Sequence, residues 1–197
     1  MSASDKKSYG YQMNLGLHAA RGKYFSIVET DDYIPDNMLS TLFSIAEQYQ
    51  VDVVKSNHFR TSRVSDVFTE GLKGMPYNQV IAPKDVKNIF HVLPSIWNGL
   101  YHRQFLIDNG IDFLESPGAS YQDTGFIVKV MSCAKRVFLV KHPFYHYRID
   151  NENSSVKSTS KIYCLCDEFA SVQSFLNERP MVKKEFSDIV CGRKIST

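Results

Sequence analysis

The sequence has little that would place it in a metal-scaffold, membrane or nucleic-acid class. Its four cysteines stand at 133, 164, 166 and 191, and their spacing matches no zinc pattern. Cys164 and Cys166 lie two apart in a helical stretch and so point in different directions. Reduced thiols of a cytoplasmic protein are the reading this leaves. No apolar run is long enough to span a bilayer and no secretory leader is expected, so membrane association would have to be peripheral, at the inner face, or reside in a part of the protein outside these residues. Lys and Arg number 23 against 21 Asp and Glu, a formal charge of +2. A balance so near neutral argues against a nucleic-acid partner held by bulk charge. No Gly-rich phosphate loop is present, which leaves a nucleotidyltransferase reading without support. Internal repeats and low-complexity tracts are absent too. Tryptophan is single, Trp97, yet 11 Tyr and 13 Phe bring aromatics to 13%; such residues line clefts and fill cores alike. With 197 residues, 43% hydrophobic and 22% charged, the chain can bury one substantial core and carry a small appendage.

What is present centres on residues 23–35, Lys-Tyr-Phe-Ser-Ile-Val-Glu-Thr-Asp-Asp-Tyr-Ile-Pro. The segment opens as an apolar, β-branched and aromatic run, which predicts a strand buried on both faces. It then delivers Glu29, Asp31 and Asp32 together, and Pro35 follows, suited to opening a helix. Two readings stand. The acids are a polar loop capping the next helix, or they sit where open α/β sheets bind ligands and offer hard oxygens to Mg²⁺ or Mn²⁺ bridging to phosphates.

Around this stretch the periodicity predicts α/β alternation. Residues 1–8 are polar and read as a frayed start. A helix is expected over 9–21, with Met13, Leu17 and Ala20 at helical spacing and Gly22 ending it. Asn14 within it faces solvent or the ligand edge. A helix leading into a buried strand is the second half of a βαβ unit, so a strand is expected upstream of residue 1. A second helix is expected over 36–50, a strand over 51–56, and an excursion with one or two short antiparallel strands over 57–82. A short helix follows at 83–92, an aromatic strand at 95–101 and a helical turn at 103–109. The next helix, 122–133, places Asp123 in its first turn, where the dipole favours a carboxylate; a plain helix-start acid would look the same. The strand 137–148 contains Pro143 and should be bulged or at an edge. It runs through Arg148 into a polar loop with Ser154 and Ser155, either an anion-binding closure or a surface turn. Helices are expected from 157 onward.

The order of these features is more specific than any one of them. Gln12-Met13-Asn14-Leu15-Gly16-Leu17 is followed by Ala19-Ala20-Arg21-Gly22-Lys23-Tyr24 and then Glu29-Thr30-Asp31-Asp32 with Pro35 beyond. Trp97-Asn98-Gly99-Leu100-Tyr101-His102-Arg103, Tyr121-Gln122-Asp123 and Pro143-Phe144-Tyr145-His146-Tyr147-Arg148 complete the series. In this combination the sequence resembles the family 2 glycosyltransferases, over residues 10–155. The resemblance implies a GT-A (Rossmann-like) fold, here an incomplete mixed sheet flanked by helices. It implies a transferase domain over 1–156 and a C-terminal helical extension over 157–197. Asp31, with Glu29, would take the metal-binding role of the family's Asp-x-Asp motif and hold Mn²⁺ or Mg²⁺. Asp123 would be the catalytic base. Asn14, Glu29, Thr30, Asp32, Trp97, Gln122, Arg148, Ser154 and Ser155 would contact substrate. The reaction implied is inverting transfer from a nucleoside-diphosphate sugar, a UDP-sugar foremost, to a hydroxyl of a glycan or lipid-linked acceptor.

The sequence departs from the family pattern in places. Glu29 replaces the commoner Asp, Gln122 a frequent Glu, and Met13 a frequent Arg. The family's N-terminal strand with a Pro-x-Tyr-Asn type motif, and the strand ending in Asp-Gly-Ser, have no match. The expectation is therefore the C-terminal portion of a transferase, weak or inactive alone, with exposed edges that favour homodimerisation. The rival from another class is a non-catalytic binding or assembly module on a degenerate transferase fold.

Overall fold

A computed structural model describes residues 7–119, 121–150 and 162–196. Of the start expected to fray, residues 1–6 lie outside the described residues, and the first helix, α1 (Tyr9–Ala19), follows a capped entry. Ser8 caps it by accepting from the Tyr11 N–H at 3.2 Å, and Lys7 and Tyr9 exchange backbone bonds with Gly118. Its apolar side buries Leu17. It ends at Ala20, whose backbone is extended, two residues before the Gly22 expected to stop it. Gly10 makes the close approach possible: a Cβ there would lie 2.0 Å from the Leu114 carbonyl oxygen. Asn14 does not face solvent. Its amide brackets the Phe113 backbone, accepting at 2.9 Å and donating at 3.0 Å, and also donates to Glu115.

The strand predicted at the opening of the 23–35 segment is shorter than its pattern. Only β1 (Tyr24–Phe25) joins the ladder; Phe25 and Ile27 are buried while Val28 is exposed. Helix α2 (Met38–Tyr49) starts after Pro35 and buries Met38, Leu42 and Ala46, leaving Leu39 outside. Strand β2 (Val53–Thr61) runs well past the expected 51–56, because residues 58–61 gain partners on both sides. One is β3 (Asp66–Thr69), antiparallel in a hairpin; the other is β6 (Val137–Arg148), parallel. Between them come β4 (Val80–Ile81), a 3₁₀ turn at Lys87–His91, β5 (Gly99–His102), α3 (Arg103–Asp108) and α4 (Gln122–Cys133). The chain closes with α5 (Ile162–Asn177) and α6 (Pro180–Ser196).

The sheet is mixed and six-stranded, in the order β1-β5-β2-β6-β4 with β3 beside β2. Because β5 is antiparallel to both neighbours, β1, β2 and β6 run the same way and end at one rim. Tyr101, Val53 and Val137 share one face by register, and Leu100, Val54 and Phe138 the other. The first face meets α4 through the Tyr101–Phe126 contact, the second meets α2 through the Tyr49–Phe138 stack. Helices therefore cover both faces of this mixed sheet.

Pro143 sits in a bulge, on a stretch of β6 that pairs with β2 on one side and lies beyond the Val137–Phe138 pairing with β4 on the other. Ser56 faces Val140, but Asn57 faces Pro143 and His58 faces Tyr145, so β6 takes up extra residues there. The fully buried Asn57 fills the irregularity: it donates to the Lys141 carbonyl at 3.0 Å and accepts from the Leu72 N–H at 3.1 Å. Helix α5 packs on α4, and α6 packs on α5 and the 3₁₀ turn, burying Phe169, Val172, Leu176 and Phe186.

Candidate active site

The acid loop leaves the end of β1 and crosses the rim to β6, where Tyr33 and His146 exchange backbone bonds at 3.0 and 3.4 Å and stack their rings at 4.3 Å. Tyr145 pins the loop from below. Its hydroxyl accepts from the Glu29 N–H at 3.0 Å and donates to Asp32 Oδ2 at 2.9 Å. The other Asp32 oxygen accepts from the Arg148 N–H at 2.8 Å. Asp32 is thus bonded on both oxygens and holds the loop to the strand. Glu29, half-buried, accepts from the Tyr9 hydroxyl of α1. Thr30 and Asp31 are exposed at the tip, as is Arg148 beside them.

Burial raises the Glu29 carboxyl above its ordinary range; the Tyr9 hydrogen bond opposes the rise, and the charges of Asp32, Asp31 and Asp123 add to it. Asp32 is raised as well, mainly by burial and then by Asp31, against the Arg148 N–H and the Tyr145 hydroxyl. Tyr147 is raised by burial, then by Asp32, Asp31 and Asp123. Acids from the loop and from α4 therefore act on the same side chains.

Asp123 stands in the first turn of α4, half-buried, with one oxygen accepting from the Thr124 N–H at 2.7 Å. The turn is set by Tyr121, whose left-handed backbone (φ 62°) is unusual for an aromatic residue. Gln122 is buried and donates to Ser116 at 2.9 Å, tying the preceding loop to the helix. Trp97 is buried too. It stacks on Tyr145 at 4.3 Å and Tyr147 at 5.4 Å and meets the edge of His58 at 4.9 Å. Burial lowers His58 to about 4, helped by Lys55 and Arg60. Ser154 and Ser155 lie outside the described residues.

The rim thus gathers Glu29, Thr30, Asp31, Asp32, Asp123 and Arg148. Asn14, Gln122 and Trp97 stand behind them, with their polar or ring contacts spent on the scaffold. Three residues escaped the sequence reading. Tyr145 and Tyr147 were visible as alternate aromatics of a strand, one face of period two. Tyr9 gave no signal, since its partner is twenty residues away on another element. Among the described residues no three His, Cys, Asp or Glu side chains gather into a self-contained metal site, and no helix is long and apolar enough to cross a membrane.

The profile of the family described as glycosyl transferase family 2 matches residues 3–109. The uncharacterized glycosyltransferase EpsJ of Bacillus subtilis is 31% identical over 153 residues, covering 72% of this chain and 42% of that protein. The uncharacterized glycosyltransferase YibD of Escherichia coli is 27% identical over 154 residues, with coverage of 72% and 42%. The chain thus spans well under half the length of these curated relatives. Among solved structures, S. aureus TarS 1–349 in complex with UDP-GlcNAc aligns with a TM-score of 0.63 at 18% identity, over 94% of this chain and 55% of that one. Its complex with UDP aligns at 0.57 over 87% and 51%, a likeness of fold. On the profile match and the EpsJ identity, with a mixed sheet of the GT-A type, this chain belongs to the family 2 glycosyltransferases.

Proposed function

We propose that the chain carries the diphosphate-binding corner and the catalytic base of an inverting, divalent-cation-dependent glycosyltransferase. Residues 1–156 would form the transferase portion and 157–197 a helical extension on it. The observation that carries the reading is the shared field of the acids: Glu29 and Tyr147 each lie under the charges of Asp31, Asp32 and Asp123. On this reading two carboxylate sources far apart in sequence would face one hollow, one suited to a cation and one to a proton.

The donor set fits a hard ion. Mg²⁺ and Mn²⁺ commonly bind through one or two carboxylates, substrate phosphates filling other positions, so a closed cluster of three protein acids is not required. Asp31 at the tip, with Glu29 behind it, would hold the ion, which when bound would stabilise charge on the departing diphosphate. Tyr9 orients Glu29, while Tyr145 and the Arg148 backbone fix Asp32. The Arg148 guanidinium is exposed and suited to donor phosphate. Asp123 takes the proton of the acceptor hydroxyl as that oxygen attacks the anomeric carbon opposite the leaving group. The TarS complexes favour a UDP-sugar donor; the acceptor would be a glycan or lipid-linked hydroxyl.

Thermal unfolding with UDP and Mn²⁺ tests the reading. Ligand at a hundred times its Kd stabilises a fold by about 2.7 kcal/mol. We expect a rise in Tm that Asp31→Asn abolishes and Asp123→Asn keeps. Transfer by Asp123→Asn should fall by roughly 10² to 10⁴. A parent chain indifferent to UDP with Mn²⁺ would sink the proposal.

A further inference from the structure

Helix α5 carries an acid that the proposed chemistry leaves unused. Glu168 is 1% exposed, and neither of its carboxyl oxygens has a hydrogen-bond partner among the described residues. It sits directly on α4 at Gly125. A Cβ built on that glycine would lie 2.0 Å from Glu168 Oε2 and 3.2 Å from the carboxyl carbon. Glycine weakens a helix interior; here the missing side chain makes the seat for the acid. Lys129, one turn along the same face of α4, feels the Glu168 charge and donates to the Asp112 carbonyl at 3.2 Å.

Asp123 lies two residues before Gly125, about 200° around the helix. Its charge acts on Tyr9, Glu29 and Tyr147 on the rim side, yet it also reaches Glu168 behind the helix. The first turn of α4 is therefore held between the hollow and a buried acid from the C-terminal extension.

We propose that Glu168 is a positioning residue for Asp123, seating the first turn of α4 from behind through Gly125 and setting the charge against which the base works. The role rests on reading Asp123 as the base. The charged groups facing Glu168 are Lys129 and Asp123 from α4 and Asp167 from its own helix; Asp112 and Arg179 act on Lys129. Burial, the largest influence, pushes Glu168 up to about 8, with Lys129 opposing and Asp123 and Asp167 assisting. Below that pH the acid is neutral. Above it, a second negative charge stands behind the helix start that carries Asp123.

Carboxyl ¹³C NMR titration of the chain and of Glu168→Gln tests this, with UDP and Mn²⁺ binding measured on the same samples. The Asp123 signal is expected to move a second time, with the midpoint of Glu168, and to lose that second step in Glu168→Gln. Gly125→Ala, whose methyl group competes for the same seat, is expected to lose it too. An Asp123 titration identical in parent and both variants, in a chain that binds UDP, overturns the role of Glu168 alone. A second step in a chain that binds no UDP overturns the base reading, and the positioning role falls with it.

Discussion

Tyr145 shows how one hydroxyl can hold a whole loop. It accepts from Glu29 and donates to Asp32, so Tyr145→Phe deletes two bonds at once and leaves a half-buried carboxylate short of a donor. We expect a loss of about 1–3 kcal/mol in urea unfolding and weaker UDP binding in the presence of Mn²⁺, read by calorimetry. Glu29 adds a dependence on pH. Its carboxyl is raised in the fold above the ordinary 4.5, so between that value and the folded one the native state holds more protons than the unfolded chain. Stability tied to Glu29 is then greatest at low pH and declines as pH rises through the folded value. Cation binding, which needs the ionised form, should strengthen over the same interval. Mn²⁺ titrations across it should show affinity rising with pH in the parent and a flatter rise in Glu29→Gln. The acids themselves were legible in the sequence, as charge breaking out of an apolar run. Which of them is tied down was not, because Tyr9, Tyr145 and Arg148 reach them from other elements.

Strand β6 decides where the rim is. Its first residues pair with β2 in register, then the bulge around Pro143 turns the remainder so that Tyr145 and Tyr147 back onto Trp97 beneath the acid loop. Asn57 stabilises that irregularity with bonds to Lys141, Tyr77 and Leu72. Asn57→Leu would leave buried backbone groups unpaired, and we expect it to cost about 2–4 kcal/mol in denaturant unfolding. Proline in the sequence predicted a break in the ladder correctly. It left open whether an edge or a bulge would supply it, since either removes the need for the missing N–H. The length of β2 was misread for a related reason: residues 58–61 alternate poorly, and only pairing on both sides makes them strand.

At the scale of the molecule, the proposed hollow would be assembled from α1, the loop after β1, the start of α4 and the end of β6. A ligand spanning it should protect them together. Hydrogen exchange with and without UDP and Mn²⁺ should therefore slow amides in the 29–33 loop, in the first turn of α4 and near residue 148 alike. Protection confined to the loop would mean that α4 takes no part. The alternation of apolar runs and helical stripes determined an α/β fold, and the order of short motifs determined the family, because both are written in neighbouring residues. The sequence also fixed the chemistry on offer, carboxylates at a strand end and at a helix start. Only the tertiary structure decided that β1 is a short antiparallel partner of β5, that Asn14 and Gln122 bond to Phe113 and Ser116, and that a buried acid of α5 packs on α4 two residues past Asp123. Those outcomes depend on which surfaces meet across the sheet and between helices, and such meetings leave no period or spacing in the chain.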